Sequence, residues 1–159
     1  MTAPLRIVVG ADEAGVVLKN LLAEVLKSDP RVAGVEDLGV FDASDKRPYA
    51  DVGLAAGEVI ADGRADRGLL ICGTGIGMAI AANKVPGIRA TVAHDAYSVQ
   101  RSVLSNDCQV LALGARVVAP ELAKHLVNDW LDLRFDDRSP SAEKVAVISR
   151  YENERAEPS

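Results

Sequence analysis

The stretch Leu69-Leu70-Ile71-Cys72-Gly73-Thr74-Gly75-Ile76-Gly77-Met78-Ala79-Ile80-Ala81-Ala82-Asn83-Lys84 permits few folds. It opens with apolar residues suited to a buried strand and breaks at three alternating glycines. It then resumes as an alanine-rich apolar run long enough for a helix. A strand that feeds a helix through a tight loop is the building unit of a parallel α/β sheet. Glycine lets the backbone pack closely against a ligand, and the first unpaired N–H groups of the helix point at whatever sits there. An anion or a developing oxyanion is favoured at such a place.

Two nucleotide motifs do not fit. The dinucleotide fingerprint has glycine or alanine three residues after its second glycine, and counting from Gly73 and Gly75 that place holds Met78. The P-loop needs a Gly-Lys-Ser or Gly-Lys-Thr, and none follows. What marks this loop is the thiol of Cys72 at the strand end, with the hydroxyl of Thr74 two residues on. An arbitrary cysteine is most simply a small buried hydrophobe. One that faces a helix N-terminus has its thiolate stabilised by the dipole and becomes a usable base or nucleophile.

The rest of the chain repeats the unit. Residues 6–11 form an apolar strand, and Asp12-Glu13-Ala14-Gly15 is an acidic turn. A helix carrying Val17, Leu18, Leu21, Leu22, Val25 and Leu26 follows and is stopped by Ser28-Asp29-Pro30. Residues 34–39 read as a weaker strand, 41–49 as a polar loop, 50–61 as a helix, and Val85-Pro86-Gly87 closes the helix after the glycine loop. Residues 88–93 lead through His94-Asp95 into a helix to Leu104. Residues 110–114 form a fifth strand, and Pro120 opens a helix to Leu131. Five alternations predict a three-layer αβα, Rossmann-like, doubly wound five-stranded parallel sheet, because parallel strands need right-handed crossovers. Ligands in such sheets bind at the carboxyl ends of the strands, so Asp12, Cys72, Thr74 and His94 are expected to converge there.

A chain of 159 residues suits one domain, here residues 1–138. A last helix over 141–154, with Val145, Val147, Ile148 and Tyr151, falls in the remaining segment 139–159 and is expected to pack on a partner subunit. The net charge of -5, without a basic run, argues against a nucleic-acid or membrane surface. There is no apolar stretch of spanning length, and Met-Thr-Ala-Pro-Leu-Arg-Ile enters a strand almost at once, so a cytoplasmic protein is expected. Cys72 and Cys108 are then reduced thiols, and their spacing matches no zinc pattern, so neither metal nor cofactor is expected.

Several segments together carry a family resemblance. Gly10-Ala11-Asp12-Glu13-Ala14-Gly15, Cys72 to Met78 with Ala81-Ala82-Asn83-Lys84, and Gly87-Ile88-Arg89-Ala90 are three of them. Asn106-Asp107 and Leu111-Ala112-Leu113-Gly114-Ala115-Arg116 complete the set. The chain resembles ribose-5-phosphate isomerase type B and the related galactose-6-phosphate isomerase subunits over nearly its whole length. The resemblance implies a metal-independent aldose to ketose isomerase of small phosphorylated sugars that works through a cis-enediolate. It also implies a homodimer or dimer of dimers whose active sites are completed across the subunit interface. On this resemblance Cys72 is the base moving a proton between C1 and C2, Thr74 assists at the substrate oxygens, and Gly73, Gly75, Ile76 and Gly77 form the anion hole. Asp12 contacts sugar hydroxyls, Asn106 binds near the reacting carbonyl, and Arg116 sits at the phosphate end, where a guanidinium suits a phosphate.

Three places depart from the family pattern. Glu13 stands where the family commonly has histidine, Ser105 stands before Asn106 where it has another histidine, and the arginine-rich approach to the last helix is reduced to Arg138, Pro140, Glu143 and Lys144. Arg138 and Lys144 are the candidate phosphate ligands that remain, and His94 is a candidate for ring opening or hydroxyl binding. The family histidine at the Ser105 position is assigned to opening the furanose ring, which serine cannot do. A tetrose 4-phosphate cannot close that ring because its O4 is esterified. The expected substrate is therefore D-erythrulose 4-phosphate and D-erythrose 4-phosphate, with ribose 5-phosphate and ribulose 5-phosphate as the alternative. A nucleotide-binding or regulatory α/β domain with Cys72 merely buried, and a silent subunit of a hetero-oligomer, are the readings from other classes.

Overall fold

Alternation along the central strands divides the core into two layers. In the computed structural model, which describes residues 2–158, the strands are β1 (Leu5–Ala11), β2 (Val32–Asp37), β3 (Arg67–Cys72), β4 (Ala90–Val92) and β5 (Val110–Gly114). The helices are α1 (Val16–Lys27), α2 (Tyr49–Ala61), α3 (Ile76–Ala82), α4 (Ala96–Leu104), α5 (Pro120–Asp132) and α6 (Pro140–Ala156). Ile7, Val9, Leu69, Ile71, Leu111 and Leu113 share one core with α1, α4 and α5. The intervening Val8, Leu70, Cys72, Val110 and Ala112 face α2 and α3. Burial on both faces is what a parallel sheet requires of its strands.

All strand pairs are parallel, in the order β2-β1-β3-β5-β4. The sheet is thus the doubly wound one expected, with the direction of winding reversing between β1 and β3. Helix α2 lies close against α3 because glycine faces the contact. A Cβ at Gly53 would lie 2.8 Å from the Ala81 Cβ, and one at Gly57 2.7 Å from a Val85 methyl.

Two buried cations tie the layers together. The Lys19 ammonium donates to both Asp37 oxygens at 3.0 and 2.9 Å and sits 5.0 Å from the centre of the Phe41 ring. The Arg67 guanidinium donates to the Trp130 carbonyl at 2.7 Å and to that of Leu133, at the carbonyl end of α5. Burial, together with the nearby charge of Arg134, lowers the Arg67 pKa to about 10.

The element boundaries differ from the sequence expectation in instructive ways. Strand β2 lies two residues earlier than expected; backbone bonds to β1 continue beyond it, from the Leu38 N–H to the Val9 carbonyl at 3.0 Å and from the Ala11 N–H to the Gly39 carbonyl at 2.7 Å, while the Gly39 N–H turns onto the Asp37 carboxylate at 2.9 Å. Helix α3 stops at Ala82. The Asn83 side chain then exchanges two hydrogen bonds with the Ala90 backbone, at 2.8 and 2.7 Å, and acts as a surrogate partner beside the short strand β4. Helix α6 runs longer than expected and makes contacts with its own chain: Val145 is buried, and the Glu152 carboxylate accepts from the Gly87 N–H at 2.7 Å. No helix among the described residues is long and apolar enough to cross a membrane.

Candidate active site

The carboxyl ends of three adjacent strands open into one cavity of about 450 Å³. The turn after β1 supplies Asp12, Glu13 and Ala14, the loop after β3 supplies Cys72, Gly73 and Thr74, and the turn after β5 supplies Arg116. Ile76, Gly77 and Ile80 of α3 and Tyr49 of α2 complete the wall. Cys72 is 4% exposed and belongs to the core facing α2 and α3, yet it is among the residues that line this cavity.

The loop has its shape because its neighbours leave no room for side chains. Gly75 adopts φ +82°, a left-handed conformation, and a Cβ there would lie 3.0 Å from the Leu113 backbone. A Cβ on Gly77 would come within 2.2 Å of the Tyr49 ring. So constrained, the Gly75 N–H donates to Cys72 Sγ at 3.1 Å, and the Ile76 N–H to Thr74 Oγ1 at 3.2 Å. The N–H groups of the α3 N-cap, Gly75, and of its first residue, Ile76, are thus turned onto the loop's own side chains. The Gly75 N–H points directly at the sulfur.

Asp12 Oδ1 accepts from the N–H groups of Ala14 and Gly15 at 3.0 and 3.1 Å, which folds the turn and fixes the carboxylate on the cavity wall. Glu13 forms an ion pair with Lys46 at the rim. The Arg116 backbone N–H donates to the Gly73 carbonyl at 3.0 Å, and its guanidinium lies over Gly73 and enters no ion pair among the described residues. A cation without a carboxylate partner, beside a thiol held by a backbone N–H, equips the cavity for an anionic substrate and for proton transfer.

Four expected residues do not join this cavity. His94 Nε2 accepts from the Gly114 N–H at 2.8 Å, and Gly114 is the register partner of Cys72, so the imidazole is engaged at the strand end and does not line this cavity. Burial holds its pKa below the ordinary histidine value, against the weaker opposite pull of Asp95. Asn106 precedes β5 and therefore lies at the amino edge of the sheet, with its Nδ2 donating to the Arg101 carbonyl at 3.0 Å. Arg138 is exposed near Asp136, and Lys144 is exposed on α6. Among the described residues no three His, Cys, Asp or Glu side chains are placed to hold a metal ion.

The sequence reading missed Tyr49 and Ile80. From the sequence Tyr49 reads as the last residue of the 41–49 loop; in the structure it opens α2 directly after its N-cap, Pro48. Ile76, expected in the anion-hole loop, and Ile80, part of the apolar run after it, are 55% and 57% exposed.

Comparison with known proteins agrees with this geometry. The sequence model of the Ribose/Galactose Isomerase family matches residues 7–148. D-erythrulose-4-phosphate isomerase 2 of Mycolicibacterium smegmatis is 59% identical over 148 residues, covering 93% of this chain and 97% of that protein. Ribose-5-phosphate isomerase B of Escherichia coli is 39% identical over 150 residues, covering 94% and 98%. The structure of ribose-5-phosphate isomerase B from Clostridium thermocellum superposes with a TM-score of 0.88 at 40% identity, covering 95% of this chain and 99% of the other. With the parallel sheet, the Cys72 loop and these matches all in agreement, the chain belongs to the ribose/galactose isomerase family.

Proposed function

We propose that this enzyme, an aldose to ketose isomerase of phosphorylated sugars, interconverts D-erythrulose 4-phosphate and D-erythrose 4-phosphate with Cys72 as the base. The observation that carries the chemistry is the Gly75 N–H to Cys72 Sγ hydrogen bond at 3.1 Å inside the cavity. The thiolate takes the proton from C1 of the ketose or C2 of the aldose, leaving a cis-enediolate, and returns it to the other carbon. Thr74 Oγ1 already accepts from Ile76, so its own hydroxyl proton is free to follow the charge between O1 and O2. The N–H groups of Gly73 and Gly77, which the loop does not spend on Cys72 or Thr74, serve the developing oxyanion. Asp12 orients the sugar hydroxyls, and Arg116 holds the phosphate.

The tetrose assignment is supported by Ser105, which cannot open a furanose ring, and by the 59% identical relative named for that substrate. A second copy of the chain completes each site. Asn106, Arg138 and Lys144 do not line the Cys72 cavity of their own chain, and Ile76 and Ile80 beside the cavity expose an apolar face to a partner.

Purified protein assayed on tetrose, pentose and hexose phosphates tests the proposal. A higher kcat/KM for erythrulose 4-phosphate than for ribose 5-phosphate is expected; preference for the pentose overturns the substrate, and no turnover of any sugar phosphate overturns the activity. The Cys72→Ser variant should lose about 10²- to 10⁴-fold in kcat while keeping its circular dichroism spectrum.

A further inference from the structure

The cavity that holds Cys72 has few side chains able to give a hydrogen bond. Asp12 accepts from Ala14 and Gly15, Glu13 pairs with Lys46, and Ile76, Ile80 and the glycines bring no polar side chain. Besides the thiol itself, the lining side chains with a proton to offer are Thr74, Arg116 and Tyr49.

Arg116 and Tyr49 cover the first and last glycines of the loop. A Cβ at Gly73 would lie 3.1 Å from Arg116 Nη1, and one at Gly77 would lie 2.2, 2.5 and 2.6 Å from Cε2, Cδ2 and Cζ of Tyr49. The ring carbon that bears the hydroxyl is thus among the atoms packed over Gly77. Tyr49 is the first residue of α2, and the close approach of α2 to α3 at Gly53 and Gly57 fixes where its ring stands. It is 46% exposed, and no described residue hydrogen-bonds to its hydroxyl. A sugar 4-phosphate held by Arg116 at the Gly73 end carries C1, the far terminus of its chain, to the Gly77 end. In the enediolate, charge develops on the oxygens of C1 and C2, and a donor already in place there lowers the barrier; tyrosine hydroxyls can serve as such donors.

We propose that the Tyr49 hydroxyl donates a hydrogen bond to O1 of the substrate as negative charge forms there, which makes Tyr49 a further catalytic residue. This rests on the isomerase reading above, with Arg116 at the phosphate. The phenol keeps its proton throughout: Cys72 moves the carbon-bound hydrogen, Thr74 serves O1 and O2, and Tyr49 contributes only a hydrogen bond. No other side chain lining the Gly77 end of the cavity offers a donor, since Ile76 and Ile80 are its remaining wall.

The test is steady-state kinetics of Tyr49→Phe, which keeps the ring against Gly77 and removes only the hydroxyl, with circular dichroism to confirm the fold. On the sugar phosphate that wild type turns over fastest, kcat should fall about 10- to 10³-fold, with a smaller change in KM and an unchanged inhibition constant for inorganic phosphate. A kcat within about threefold of wild type overturns the proposal, because a lost oxyanion donor costs more than that. An inhibition constant for phosphate that rises in step with KM overturns the placement at C1, since it puts the hydroxyl at the phosphate instead. Should Tyr49→Phe fail to fold, Tyr49→Leu is read by the same criteria. Wild type inactive on every sugar phosphate would overturn the isomerase reading itself.

Discussion

Cys72, Gly114 and His94 form a short chain of dependence. The imidazole accepts from the Gly114 N–H, Gly114 pairs with Cys72 in the sheet, and the Cys72 sulfur accepts from Gly75. This predicts a pH effect with a definite sign. Folded His94 has a lowered pKa, so as pH falls through about 6.5 the unfolded chain takes up its proton first. The associated stability is present in full above that pH and declines below it. Melting temperatures at pH 7.5 and 5.5 should show the loss, and His94→Gln should flatten it. Arg116→Gln should raise KM about 10- to 100-fold for the phosphorylated substrate with a smaller change in kcat, read from steady-state kinetics. Replacing Asp37 with alanine strands the Lys19 ammonium, which is 0% exposed, and should cost about 3–5 kcal/mol in urea unfolding.

At the scale of elements, helix placement follows from residues that lack bulk. Gly53 and Gly57 let α2 approach α3, and α3 fixes the loop that carries Cys72. The Gly53→Val substitution should therefore destabilise the fold by about 1–3 kcal/mol through overpacking, measured by denaturant titration, and should also lower kcat. Strand and helix types were legible because apolar spacing is a local property, and the central strands show it clearly. The ends of β2 and α3 were less legible. Near both, side chains take the place of backbone partners, Asp37 for Gly39 and Asn83 for Ala90, and periodicity carries no record of such contacts. Tyr49 was missed for the same reason: its role is visible only once Gly77 lies beneath its ring.

For the whole molecule, exposed Ile76 and Ile80 on α3 and Val147, Ile148 and Tyr151 on α6 leave apolar surface that a single chain does not cover. Paired chains are expected in solution, and Ile80→Glu should shift sedimentation velocity toward the monomer and reduce turnover together; a wild-type monomer at micromolar concentration would contradict the shared site. By itself the sequence determined the five alternating units, the parallel sheet they must form, and the thiol and glycines at one strand end, because each is written in neighbouring residues. Only the tertiary structure decided that His94 is engaged by Gly114, that Asn106 does not line the Cys72 cavity of its own chain, and that Tyr49 joins the wall. Those outcomes depend on which strand edge and which helix surface meet across the fold, and residues distant in the chain settle them through space.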